Sequence, residues 1–290
     1  MADHSMPPGS IKKFWPNGVS KVYRGHSVIC HLPEDSPLRE TIQEVHEALA
    51  ELDFAGTTFP GEALLPETSW HMTVFICVRD LERTPNVMPG DGYADDIKYE
   101  SGLTGPYEDW LEYTRSVLED LELDESSKPP YRLAVQRKIP EITHSVALSL
   151  QPLPDSGSLV GLREELSKAT GIRHLNHDSF KFHITLAYMT RVLSEEEKSI
   201  IRGVVEEILA DAPETVEFKE VSLCSFQNMQ AFNVEVTLAD AEDDDEDEEE
   251  EEEDDDVDED DEDEEEEEDD DDEESGVGHG ASGSHRSFHR

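Results

Sequence analysis

Two stretches decide how this chain folds: residues 69–78, SWHMTVFICV, and residues 181–189, KFHITLAYM. In an extended strand successive side chains point to opposite faces, so His71 and Thr73 share one face while Met72 and Val74 share the other. His183 and Thr185 separate from Ile184 and Leu186 in the same way. Each strand thus carries an aliphatic face suited to a core and a second face where an imidazole sits beside a hydroxyl. Burying that second face without partners is costly, which marks it for chemistry rather than packing.

Outward from these strands the hydrophobic periodicity repeats. A strand-like run at residues 27–32, SVICHL, precedes the first; between them lies a helix with Ser36 as N-cap, Pro37 at its first position and an apolar stripe of Leu38, Ile42, Val45, Leu49 and Leu52. A second helix is expected around residues 107–121. The order then recurs: SVALSLQPL from Ser145, a helix with Leu159, Leu162, Leu166 and Ala169, the strand at 182–189, and a helix opening on a capping box of Ser194 and Glu197. TVEFKEVSLCSF and AFNVEVTL supply a final hairpin-like region. The expected fold is α+β and bilobal, with two pseudo-symmetric strand-helix-strand-helix halves whose antiparallel sheets face each other across a central groove. The boundaries read as an N-terminal arm at 1–20, a domain at 21–240 with lobes at about 21–135 and 140–240, and a disordered acidic tail at 241–290. Residues 84–104, polar and rich in Gly and Pro, read as an inserted loop.

Charge separates the tail from the domain. Of the 33 residues at 242–274, 32 are Asp or Glu, within a chain of 290 residues and net charge −49. Such a run has no apolar area to offset chain entropy, and its charges repel one another. Residues 1–241 are themselves acidic, with 40 Asp and Glu against 21 Lys and Arg. That balance disfavours binding of long DNA, which needs many phosphates neutralised, but allows a small or terminal phosphate in a local pocket. Basic proteins are candidate partners of the tail. Cys30, Cys77 and Cys224 are too few and too scattered for a disulfide framework or a cysteine-based zinc site, and they read as buried small hydrophobes in a reducing compartment. No stretch reaches membrane-spanning length, so the expected location is intracellular, cytoplasmic or nuclear.

The paired strands suggest a mechanism. His-x-Ser also occurs at His177 with Ser179 and at His285 with Ser287, but outside apolar runs; the two His-x-Thr pairs lie in strands, 112 residues apart, at equivalent places in the repeat. Two imidazoles divide proton acceptance and donation between them, and two hydroxyls donate hydrogen bonds to phosphate oxygens as charge gathers there. No metal and no cofactor is called for. His174 and His177, three apart, lack the further ligands of a metal site.

SWHMTVF and KFHITLAY resemble the paired His-x-[Ser/Thr]-x-hydrophobic signatures of the 2H phosphoesterase superfamily, which includes LigT-like RNA ligase and cyclic nucleotide phosphodiesterase proteins. YRGHSVICHLP and LCSFQNMQAF resemble segments of a little-characterised fungal and bacterial branch. The likeness spans about residues 20–240. It implies a bilobal fold with the four motif residues in the central groove, His71 and His183 as catalytic acid and base, Thr73 and Thr185 as phosphate-binding groups, and metal-independent hydrolysis of a 2′,3′-cyclic or terminal nucleotide or RNA phosphodiester. The alternative is a catalytically silent nucleotide-binding or acidic-tail interaction protein.

Further groove candidates are Tyr23, His26, Trp70, Lys181 and Tyr188. For each, a packing or surface role is at least as well supported; Tyr188 in particular falls by alternation on the core face with Ile184 and Leu186. Phe226 and Phe232 read as core.

Overall fold

A computed structural model of the chain describes residues 6–81, 106–174 and 176–241. The acidic run, the residues that follow it and the whole of the inserted loop at 84–104 lie outside the described residues.

In chain order the elements are α1 (Pro8–Ile11), β1 (Gly25–His31), α2 (Leu38–Ala50), α3 (Ala55–Thr58), β2 (His71–Arg79), α4 (Tyr107–Glu119), β3 (Tyr131–Val135), β4 (Ser145–Pro152), α5 (Leu159–Thr170), β5 (His183–Tyr188), α6 (Glu195–Leu209), β6 (Thr215–Phe218), β7 (Glu220–Phe226) and β8 (Asn233–Asp240). All eight strands join one antiparallel sheet in the order β6-β3-β4-β5-β2-β1-β7-β8. The helices are amphipathic, and their apolar stripes (Leu38, Ile42, Val45 and Leu49; Leu159, Leu162 and Leu166; Ile201, Val205 and Leu209) are buried in one core with Met72, Val74, Ile184 and Leu186. Local signals set the helix ends. Ser194 and Glu197 form the reciprocal capping box, and Gly171 closes α5 at φ 67°, a left-handed conformation that glycine adopts without strain.

The sheet halves are related by a pseudo-twofold that passes between β2 and β5, and in that junction Met72 pairs with Ile184. About this point β2 answers to β5, β1 to β4, β7 to β3 and β8 to β6. Two departures from the expected lobe boundaries follow. β3, absent from the sequence reading and placed by number in the first lobe, completes the second half-sheet with β6. β7 and β8, the last two strands in chain order, extend the first half-sheet, β7 pairing with β1 and β8 with β7. The halves are interdependent, since the first half-sheet (β1, β2, β7 and β8) is completed only after the chain has passed through the second (β3 to β6).

The N-terminal arm is part of this unit. Phe14 is fully buried, the Ser10 hydroxyl donates to the His144 carbonyl at 3.0 Å, and the backbone N–H of Lys21 bonds back to the Lys13 carbonyl at 2.7 Å. The expected boundary at residue 21 is therefore too late. An arm that buries a phenylalanine contributes to the fold. Among the described residues no helix is long and apolar enough to cross a membrane.

Candidate active site

β2 and β5 meet at the middle residue of each His-x-Thr motif. With Met72 opposite Ile184, antiparallel register sets His71 beside Thr185 and Thr73 beside His183 across the junction. Met72 and Ile184 are fully buried toward the helices, and the four polar residues face a groove of about 810 Å³. One surface therefore holds both imidazoles and both hydroxyls.

The two histidines are held alike. The Nδ1–H of His71 donates to the carbonyl of Ser69 at 2.7 Å, and that of His183 donates to the carbonyl of Lys181 at 2.8 Å. In each case the acceptor lies two residues earlier in the chain. Bonding Nδ1 to a carbonyl fixes the proton there in the neutral ring and leaves Nε2 for the groove. His71 Nε2 is 3.3 Å from Thr73 Oγ1.

The environments differ. The ring of His71 is covered by Phe232, at 4.0 Å between ring centres. Desolvation pushes the pKa of His71 down to about 3; the Ser69 carbonyl opposes this, and the nearby His31, His183 and Lys13 add to it. His71 is therefore neutral near physiological pH.

Both strands bulge directly after the motif. In β5, Thr185 pairs with Ala147 and Ala187 with Val146, leaving Leu186 as the extra residue; in β2, Thr73 pairs with Ile29 and Phe75 with Val28, leaving Val74. A bulge resets the alternation of every residue beyond it. Tyr188, assigned to the core by alternation, consequently lines the groove, as does its counterpart Ile76. The freed Leu186 carbonyl accepts the Leu65 N–H at 2.9 Å and bonds His46 Nε2 at 3.0 Å.

The remaining candidates divide. Tyr23 and Lys181 line the groove. His26 does not. It is fully buried on the face opposite Ser27, with Nε2 3.0 Å from Thr114 Oγ1 on α4. Trp70 likewise precedes its motif on the core side, where its indole N–H donates to the Leu65 carbonyl at 3.1 Å. Both are corrected to structural residues by the same alternation that aims their neighbours at the groove. Phe232 moves the other way, from expected core to groove wall, and Phe226 lies behind it at 4.9 Å. His174 and His177 serve separate partners, the Cys77 carbonyl and Glu164.

Sequence reasoning missed four contributors. Lys13 and His144 line the groove. The Ser69 carbonyl acts through its backbone, which no residue pattern discloses. Arg163 of α5, almost fully buried, donates to the carbonyls of Val74 and His177, the latter at 2.8 Å, and so ties the β2 bulge to the loop that leads into β5.

Comparison with known proteins bears on this geometry. Residues 13–100 match the family model 2H-phosphodiest, described as a domain of unknown function (DUF1868). The crystal structure of a conserved protein of unknown function from Agrobacterium tumefaciens is similar at 22% identity and a TM-score of 0.65, over 82% of this chain and 96% of that one; the likeness is one of fold. Escherichia coli LigT, solved with phosphate, overlaps at 12% identity and a TM-score of 0.35, over 75% of this chain and 97% of its own. TT0787 of Thermus thermophilus overlaps at 13% and 0.38, over 76% and 98%. No curated protein sequence matches. The family match takes in the first motif strand, and the pseudo-twofold repeats that strand as β5 with the same residue types, the same carbonyl contact and the same bulge, which supports the resemblance of the chain to the 2H phosphoesterase superfamily.

Proposed function

We propose that the protein is a metal-independent phosphodiesterase that hydrolyses a 2′,3′-cyclic or terminal nucleotide phosphodiester, with His71 as general base and His183 as general acid. The observation that carries this reading is the common tautomer of the two histidines, each with Nδ1 on a carbonyl and Nε2 turned to one groove. In the reaction His71 Nε2 takes a proton from water as its oxygen bonds to phosphorus. The bond from phosphorus to the ribose oxygen breaks, and His183 Nε2 delivers a proton to that oxygen. Thr73 and Thr185 donate hydrogen bonds to the non-bridging oxygens.

The asymmetry of the site supports the division of roles. The ring that is costlier to charge, His71 under Phe232, starts neutral and accepts; the anionic substrate then lowers the cost of its positive charge. Phe232, only partly buried, offers aromatic surface against which a base stacks. The test is incubation of purified protein with each 2′,3′-cyclic nucleotide in the presence of a chelator. Turnover that disappears in both His71→Gln and His183→Gln is expected, and no turnover of any cyclic nucleotide or oligonucleotide end refutes the reading.

A further inference from the structure

One end of the groove has no counterpart across the pseudo-twofold. There α1 and the turn after it lie over the second half-sheet, pressed so closely that a Cβ on Gly9 would stand 2.5 Å from the His144 ring. The arm carries Lys13 into the groove, where its ammonium donates to the Tyr188 hydroxyl at 2.6 Å and sits over the Tyr188 ring at 4.2 Å. The Tyr188 hydroxyl is itself directed at the Met229 sulfur, at 4.0 Å, so the lone pairs of its oxygen remain for Lys13. His144 is stacked on the same phenol, at 6.2 Å and 27° between planes, with Nδ1 held 3.0 Å from Thr143 Oγ1.

An ammonium has three N–H donors, and among the described residues Tyr188 takes one of them and no carboxylate neutralises the charge. In a domain with 40 acidic and 21 basic residues, a lysine lining a cavity with no acidic partner is placed against the prevailing charge. Two groups that line the groove, the Lys13 ammonium and the His144 ring, thus flank one phenol at the same end of it. The charge of Lys13 also reaches the reaction centre: after desolvation, it is one of the influences that lower the pKa of both His144 and His71. A second anion at this end would relieve that field.

We propose that Lys13 and His144 form a second phosphate subsite, so that the preferred substrate is a nucleotide bearing a terminal phosphate besides the phosphodiester that is cleaved. This specificity rests on the phosphodiesterase reading, but the subsite is open to a test that needs no catalysis. Size permits it, since a groove of about 810 Å³ exceeds what a single phosphodiester fills and lies in the range of about 300–1,000 Å³ typical of pockets for whole nucleotide-sized ligands.

Calorimetric titration of the full chain with adenosine 3′-monophosphate and adenosine 3′,5′-bisphosphate reads the subsite directly. The bisphosphate is expected to bind at least about tenfold tighter, and Lys13→Met and His144→Gln are each expected to bring the ratio of the two affinities close to one, a change of about 1.4 kcal/mol. Equal binding of the two ligands by the native protein overturns the proposal, as does a ratio undiminished in both folded variants. Adenosine 2′,3′-cyclic phosphate, with and without a 5′-phosphate, then reads turnover. A binding preference without turnover of either would sink the catalytic reading and leave the subsite standing; turnover without the preference would do the reverse.

Discussion

At the residue scale, the proposed chemistry makes the four groove side chains and two backbone carbonyls one unit, and their replacement should not be additive. His71→Gln and His183→Gln are each expected to lower kcat by about 10²–10⁴-fold, the span of a lost proton-transfer step, and the double variant should be little worse than either alone. Thr73→Val and Thr185→Val remove a donor to the phosphoryl oxygens and should cost about 10²-fold each. Steady-state kinetics on a cyclic nucleotide would measure these losses; a double variant that multiplies the single effects would show that the histidines work independently. The pH profile carries a separate signature. As the proposed base, His71 has to be neutral to accept a proton, so activity is expected to fall as pH drops through its pKa in the free enzyme. Desolvation places that pKa at about 3, hence the acid limb of kcat/KM should lie well below the value near 6.5 of an ordinary histidine. An acid limb centred at 6.5 or above would assign the base elsewhere.

At the scale of elements, the bulges explain both what the sequence discloses and what it hides. Strict alternation placed His71, Thr73, His183 and Thr185 on one face, and the same rule, run past Leu186, put Tyr188 on the wrong one. A single extra residue leaves no mark in the hydrophobic pattern, because Leu186 is as apolar as a regular core position would be. The capping box at Ser194 was legible because both of its partners are local. β3 and the N-terminal arm were not, because their partners are remote: β3 is a strand through its pairing with β4 and β6, and Lys13 is a groove residue through Tyr188, 175 positions away. Arg163 belongs to this remote class. Its guanidinium spans two carbonyls that a lysine cannot reach together. Arg163→Lys is expected to destabilise the fold by about 1–3 kcal/mol, the cost of a buried acceptor left unpaired. It should also lower kcat several-fold with KM nearly unchanged, because the β2 bulge is no longer tied to the approach to β5. Urea unfolding and kinetics at saturating substrate separate the two effects. If kcat is intact while stability falls, Arg163 holds the core and does not position the site.

For the whole molecule, acidity and buried histidines act on stability in opposite directions. The net charge of −49 means that protonating carboxylates relieves repulsion as pH falls. His26 opposes that gain. Fully buried between β1 and α4, bonded to Thr114 and with no partner for Nδ1 among the described residues, it has its pKa pushed down to about 3 by desolvation. In the unfolded chain its pKa is near 6.5, so below that pH the unfolded state binds a proton that the folded state refuses. Stability supplied by the neutral ring is therefore complete above about pH 6.5 and is lost progressively until pH reaches about 3, a change on the order of 5 kcal/mol. That is comparable with the entire stability of many domains, so acid should unfold the protein even while charge repulsion declines. Comparison with His26→Gln isolates the effect, because the carboxylates are common to both proteins and cancel. The glutamine amide retains a bond to Thr114 and does not titrate, so the variant should be less stable than the native protein at pH 7 and lose less between pH 6.5 and pH 4, as read from urea midpoints by circular dichroism. Parallel pH dependences would mean that His26 takes up its proton in the folded state, and that another of the desolvated histidines, His46 or His71 foremost, governs acid unfolding.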